Sequence, residues 1–262
     1  MSHAVIHHYD ARPVIIAEVR DITTEHPWRW LSAGWRDIKA APARSLGYGL
    51  GLAIISYLIT ISVIMSGMFF ILPQILAGFF LIAPLLAIGL YAISRQLEAG
   101  ETPSLRAGMK TARANSFHLF NMGLVLAVAL IAWMTLAQLI VALTYTGITP
   151  ATWQGFLASL FGTWEGLRLL LAGIGSGALI AFIIFGISAI SVPMLLDRNS
   201  NVFDAIQTSW NALRHNFLPM LLWAAILVFI IIAGFMTLYV GLVIGFPLAA
   251  HATWHAYRDL VE

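Results

Sequence analysis

The stretch LGLAIISYLITISVIMSGMFFILPQILAGFFLIAPLLAIGLYAI, from Leu50 to Ile93, contains no charged residue. A hydrocarbon core roughly 30 Å thick is crossed by a helix of about 20 apolar residues, so this run supplies two spans with a turn between them. Phe117 to Leu143 and Leu169 to Leu196 give one span each, and Asn216 to Tyr257 gives two, separated by a minimal turn near Gly234 to Gly241. The expected fold is therefore an all-α integral membrane protein with six transmembrane helices. Composition agrees: 60% of the residues are hydrophobic and 10% charged, against roughly 45–50% and about 25% in an ordinary soluble domain.

The charges set the expected orientation. Of the 14 Lys and Arg residues, six precede the first span, four follow the second, Arg198 and Arg214 follow the fourth, and Arg258 lies in the tail. Only Arg168 falls on the other side, so the positive-inside rule places both termini in the cytoplasm of a bacterium, with the spans in its inner membrane. No cleavable signal peptide is expected, because the first forty or so residues carry charges throughout and lack a short apolar core with a small-residue cleavage site. The chain has no cysteine, which removes disulfides, thiolate ligands and thiol nucleophiles.

Three stretches align without gaps: LSAGWRDIKAAPARSLGYGLGLAI from Leu31, LRAGMKTARANSFHLFNMGLVLAV from Leu105 and FDAIQTSWNALRHNFLPMLLWAAI from Phe203. Ala33, Ala107 and Ala205 coincide, as do Ala40, Ala114 and Ala212. The return spans echo one another too. PLLAIGLYAISR (Pro84 to Arg95) and PLAAHATWHAYR (Pro247 to Arg258) share a proline, an aromatic and an arginine at equal spacing, with Pro193 a weaker third member. Self-similarity of this kind predicts a repeat, an amphipathic interfacial helix followed by a transmembrane hairpin. The units run over about 27–98, 102–198 and 201–262, behind a cytoplasmic N-terminal extension, 1–26.

Each predicted surface helix has an apolar stripe. In the first, Trp28, Leu31, Trp35 and Ile38 recur at helical spacing, away from Arg29, Arg36 and Lys39, with Pro27 in the first turn. In the second, Thr102 is the expected cap, and Leu105, Met109 and Ala112 oppose Arg106, Lys110 and Arg113. In the third, Phe203, Ile206, Trp210 and Leu213 follow an Asn201 cap. Such helices lie along the headgroup boundary with aromatics sunk and cations snorkelling; packing on cytosolic protein is the alternative. Arg36, Lys39, Arg44, Arg106, Lys110 and Arg113 are the candidate contacts to anionic headgroups. The outer loop TYTGITPATWQGFLASLFGTWEGLR predicts a short interfacial helix, and Trp28, Trp35, Trp153, Trp164, Trp210, Trp254 and Tyr257 are the expected aromatic belt. RPVIIAEVRDI, near the N-terminus, alternates loosely like a strand and is expected to cling to the cytoplasmic face or to a partner.

Little else carries chemistry. His251 and His255 share a helical face, and with His118 and His215 they could hold zinc, copper or haem iron. No HExxH glutamate accompanies them, and histidine is also an ordinary polar tip at an interface. The spans hold few polar side chains (Asn121, Gln138, Ser188, Ser191, His251), which argues against ion-coupled transport and leaves room for a lipid-like ligand. GYGLG lacks the Lys-Ser or Lys-Thr of a phosphate loop, and GISAIS lacks the flanking glycines of a nucleophile elbow. Asp197 and Arg198 are read as a helix-end ion pair. No catalytic residue and no nucleic-acid contact is expected.

WLSAGWRDIKAAPARSLGYGL, APLLAIGLYAISRQLEAGETPSL, SVPMLLDRN and FPLAAHATWHAYRDLV together resemble a family of uncharacterised bacterial integral membrane proteins, a domain of unknown function, over nearly the whole chain from Trp28. Some members are described as cytochrome c oxidase-like, which implies association with a respiratory complex. The resemblance carries over no catalytic residue. The expected role is a non-catalytic accessory or assembly subunit of a larger membrane complex. A carrier or sensor of a lipid or other hydrophobic molecule is the first alternative, and a metal- or haem-binding protein the second.

Overall fold

The structure, a computed structural model, describes residues 17–144 and 152–262. Within them the order is α1 (His26–Ala40), α2 (Pro42–Met65), α3 (Leu72–Leu86), α4 (Ile88–Glu98), α5 (Leu105–Ala114), α6 (Ser116–Thr144), α7 (Trp153–Gly162), α8 (Trp164–Ser188), α9 (Ser191–Asp197), α10 (Val202–His215), α11 (Phe217–Met236) and α12 (Leu242–Leu260). A short 3-10 turn, Phe69–Ile71, leads into α3. Five segments among the described residues are long and apolar enough to cross a membrane: Pro42–Met65, Leu72–Glu98, Ser116–Thr144, Trp164–Asp197 and Phe217–Met236. The second joins α3 to α4 and the fourth joins α8 to α9. Proline lies near both breaks, at Pro84 and Pro193, where its missing N–H and ring disfavour an uninterrupted helix.

The sixth expected span is different. α12 carries His251, His255, Arg258 and Asp259 in its second half and is buried along much of its length, with α1, α2, α4 and α11 packed against it. It is the core of the molecule. Gly34 and Gly49 allow this, because a Cβ at Gly34 would meet the backbone N of Ala252 at 2.7 Å and one at Gly49 would collide with the Val243 carbonyl. Among the other glycines of the small-residue runs, Gly177 lies beneath Trp133, while Gly47, Gly51, Gly173 and Gly175 face open space.

The amphipathic helices form as expected, with Pro27 in the first turn of α1 and Asn201 capping α10 through the Asp204 N–H. The α5 cap is Ser104, which accepts from the Ala107 N–H, and not Thr102. The strand-like N-terminal stretch finds its partner at the other end of the chain, where Val19 forms an antiparallel bridge with Val261. Arg20 N donates to the Leu260 carbonyl at 3.0 Å, and Ile22 N donates to Asn216 Oδ1 at 2.9 Å. Both described ends of the chain therefore lie at one end of the molecule. At the opposite end the α11–α12 turn is Thr237–Gly241, close to the expected place, and the outer loop contains the expected short helix, α7. Residues 145–151 of that loop and 1–16 of the extension lie outside the described residues.

Candidate functional site: a buried histidine node and an apolar cleft

α1 has two working faces, and only one was visible as an apolar stripe. Trp28 and Trp35 are exposed, at 57% and 44%, as residues at a lipid boundary should be. The opposite face, Trp30, Ala33, Gly34 and Asp37, is buried, and Ile38 of the expected stripe is buried with it. That face brings a carboxylate into the interior, and such a group must be paired.

Asp37 is paired by two elements, α4 and α12. Ser94 of α4 donates to Asp37 Oδ2 at 2.6 Å, His255 Nε2 of α12 lies 2.9 Å from the same oxygen, and His251 Nδ1 lies 2.7 Å from Ser94 Oγ. His251 Nε2 is 2.9 Å from Ser45 Oγ of α2. Because Ser94 spends its proton on Asp37, its oxygen accepts the His251 Nδ1–H, and Nε2 accepts from Ser45; a neutral imidazole has one donor and one acceptor, so both are used. The order serine, histidine, serine, aspartate invites comparison with a nucleophile and its base. Ser45 and His251 are fully buried, and neither lines the two apolar cavities between the helices. The arrangement is a closed hydrogen-bond node tying α1, α2, α4 and α12 together.

Beside it lies a charged network. Arg95 Nε binds Asp197 Oδ1 at 2.9 Å and Arg258 Nη1 binds Asp197 Oδ2 at 3.3 Å, so the two arginines at equal spacing behind Pro84 and Pro247 grip one carboxylate. Arg258 also binds Glu98 at 2.9 Å. Tyr257 OH donates to Asp197 Oδ2 at 2.8 Å. Arg198 does not pair with Asp197 as expected. It turns instead to Tyr257 OH at 2.9 Å and to the carbonyls of Val261 and Glu262.

These partners correct the reading of the HATWH segment. Trp254 and Tyr257 are not headgroup residues: both are fully buried, and Trp254 Nε1 donates to Glu98 at 3.0 Å. Trp210 is also drawn in, with its ring against Gly186 of α8. Trp164 is 76% exposed, and Trp153 is half-buried and stacked on Phe156. Arg36, Lys39, Arg44, Arg106, Lys110 and Arg113 are all exposed. The four histidines do not converge. His251 and His255 meet at Asp37, His118 Nδ1 faces the Val202 N–H at 3.4 Å, and His215 pairs with Asp21 at 2.8 Å. Among the described residues no group of three or more His, Asp or Glu side chains is placed to hold a metal ion.

Away from this polar end the spans diverge around an apolar cleft. One cavity of about 350 Å³ lies between α3, α6, α7 and α8, lined by residues that include Gln74, Trp133, Phe156 and Leu169. A second, of about 330 Å³, lies between α3, α8, α11 and α12, reaching Tyr91 and Thr253. Both are lined by Phe80, Ala178, Ala181 and Val228, and neither lining contains a charged residue. Gln74 is the polar exception in the first: its backbone carbonyl accepts from Trp133 Nε1 at 2.9 Å and its Oε1 from Gln138 at 3.0 Å. Its Nε2 is buried and has no partner among the described residues, a defect worth about 1–3 kcal/mol when left unfilled.

Sequence reading singled out His251 and Gln138 but missed Asp37, Ser45, Gln74, Ser94 and Glu98. For Asp37 a signal exists, since it falls at helical spacing with Trp30, Gly34 and Ala41. A helical membrane protein, polar and cross-linked at one end and cleft by an apolar cavity towards the other, is what these features define. Residues 71–197 match the family model described as "Predicted integral membrane protein (DUF2189)", so the chain is an integral membrane protein similar over that stretch to a family of unknown function. The match runs from the start of α3 to the end of α9 and leaves out the HATWHAYRDLV ending. No curated protein and no solved structure matches the chain.

Proposed function

We propose that the protein is a non-catalytic carrier or sensor that holds a lipid-like molecule in the cleft between α3, α8 and α11. The observation that carries this reading is the pair of neighbouring apolar cavities that share Phe80, Ala178, Ala181 and Val228 as lining. Sites for small molecules are concave, mostly apolar and furnished with few polar groups. Purification in nanodiscs followed by native mass spectrometry is expected to find one apolar molecule at fixed stoichiometry, lost from Ala181→Trp. The same bound material in wild type and Ala181→Trp would overturn the reading.

The same proposal includes six crossings as three repeated units, with both termini in the cytoplasm of a bacterial inner membrane and α12 returning the chain to its starting side. The meeting of the ends of α4, α9 and α12 at Asp197 supports it, as does the exposure of the six basic residues, which suits anionic headgroups. The cysteine-free chain allows a direct check. Leu238→Cys is expected to react with an impermeant maleimide on intact cells, and Glu262→Cys only after permeabilisation; equal labelling would refute this topology. A role as accessory subunit of a larger complex, respiratory or otherwise, is compatible with lipid binding but draws on no particular surface, because the exposed large apolar residues spread over four of the five apolar segments, Leu72–Glu98 excepted.

A further inference from the structure

We infer that the cleft selects an uncharged long-chain molecule bearing a carbonyl oxygen, which accepts a hydrogen bond from Gln74 Nε2. The inference rests on the cleft reading above and adds the chemistry of the occupant. Gln74 sits in the first turn of α3, is 6% exposed and lines the first cavity. Its side-chain amide is held at one end, where Oε1 accepts from Gln138 Nε2 at 3.0 Å, and its Nε2 is left without an acceptor among the described residues. Buried donors are normally satisfied, so an unfilled one on a residue that lines an apolar cavity marks where a ligand oxygen belongs.

The walls define the rest of the molecule. With no charged side chain in either lining, a carboxylate or phosphate would be desolvated without a counter-charge. The indole N–H of Trp133, the other polar group in the first cavity, is already spent on Gln74 itself. One acceptor on a long uncharged apolar body is the complement: a ketone, an ester or a related carbonyl lipid.

The test uses chain-matched diazirine probes built on 2-heptadecanone, heptadecane and heptadecanoate, incorporated with the full-length protein in nanodiscs, with crosslinked peptides of α3, α6 and α8 quantified by mass spectrometry. In wild type the ketone is expected to label these peptides at about three- to tenfold lower concentration than the alkane, the ratio one neutral hydrogen bond supplies, and the carboxylate least. In Gln74→Met the ketone and the alkane are expected to label alike. Equal labelling by the two in wild type, or an unchanged preference in Gln74→Met, overturns the inference while leaving the cleft reading intact. If Gln74→Met does not fold, the wild-type ratio alone decides. Absence of cleft labelling by every probe overturns the cleft reading and this inference with it.

Discussion

The end of the molecule that holds the termini and the end that holds the cleft are built on opposite principles. At the first, directional bonds between distant residues fix each helix: Trp30 Nε1 donates to Asp259 at 2.6 Å, Ser94 to Asp37, and Arg95 and Arg258 to Asp197. Towards the second, α3, α6, α8 and α11 meet mainly through apolar side chains, and two cavities remain between them. A packed core forfeits stability for every void. The two apolar voids lie between the spans, where polar ties are sparse, so the tied end can hold the fold independently of what fills them.

Single substitutions test this division, and the largest effect is expected on α1. Trp30→Ala removes a fully buried indole that packs edge-on against Trp223 at 5.4 Å, and a loss of about 3–5 kcal/mol is expected. Trp28→Ala, two residues away on the exposed face, should change stability by no more than about 0.5 kcal/mol. Melting followed by circular dichroism in one detergent measures both, and a larger loss from Trp28→Ala would mean that the helix lies the other way round. Next comes Asp197→Asn, which strips the charge from an anchor shared by Arg95, Arg258 and Tyr257. Breaking a buried pair costs about 3–5 kcal/mol, but these arginines are 40% exposed, so about 2 kcal/mol is expected, with the loss shrinking in high salt.

Adding volume sharpens the contrast. Gly49→Ala places a methyl group against the Val243 carbonyl where α2 crosses α12, and overpacking of this kind costs about 1–3 kcal/mol. Ala181→Phe adds far more bulk but directs it into the cleft, where both cavities border it. Its expected effect is a melting temperature equal to or above that of wild type. If both lower the melting temperature alike, the cleft is no weaker in packing than the helix crossing and the comparison fails.

How far the sequence revealed each end follows from the same physics. The apolar segments were legible because a bilayer demands an uninterrupted run of about 20 apolar residues, which is a local property. The HATWH segment was not. His251, Trp254 and Tyr257 look like an aqueous tip until Ser45, Ser94, Glu98 and Asp197 are brought beside them, and those partners lie 60 or more positions away in sequence. The pairing of Arg95 with Arg258 was half visible, in their equal spacing from Pro84 and Pro247, but the carboxylate they share belongs to α9. Gln74 gave no warning, because a lone glutamine near the start of an apolar span more often bonds a neighbouring helix, and half of its amide does so.

The smallest predicted effect concerns the turn at the far end. Leu238 and Tyr239 have φ values of 51° and 68°, a left-handed conformation that costs side-chain-bearing residues of order 1 kcal/mol each. Tyr239 is compensated: it is buried, packs on Phe235 at 5.6 Å and hydrogen-bonds Thr60 of α2. Leu238 is 75% exposed and gains nothing comparable, so the strain there is uncompensated by packing within the protein. Leu238→Gly relieves strain of order 1 kcal/mol but loosens the unfolded chain by about 0.4–1 kcal/mol, so stability is expected to hold, whereas Tyr239→Gly should destabilise through the lost aromatic contacts. A loss at Tyr239 alone would show that this turn is held by one side chain reaching α2. A loss at both would mean that Leu238 is itself anchored, by lipid or by a partner.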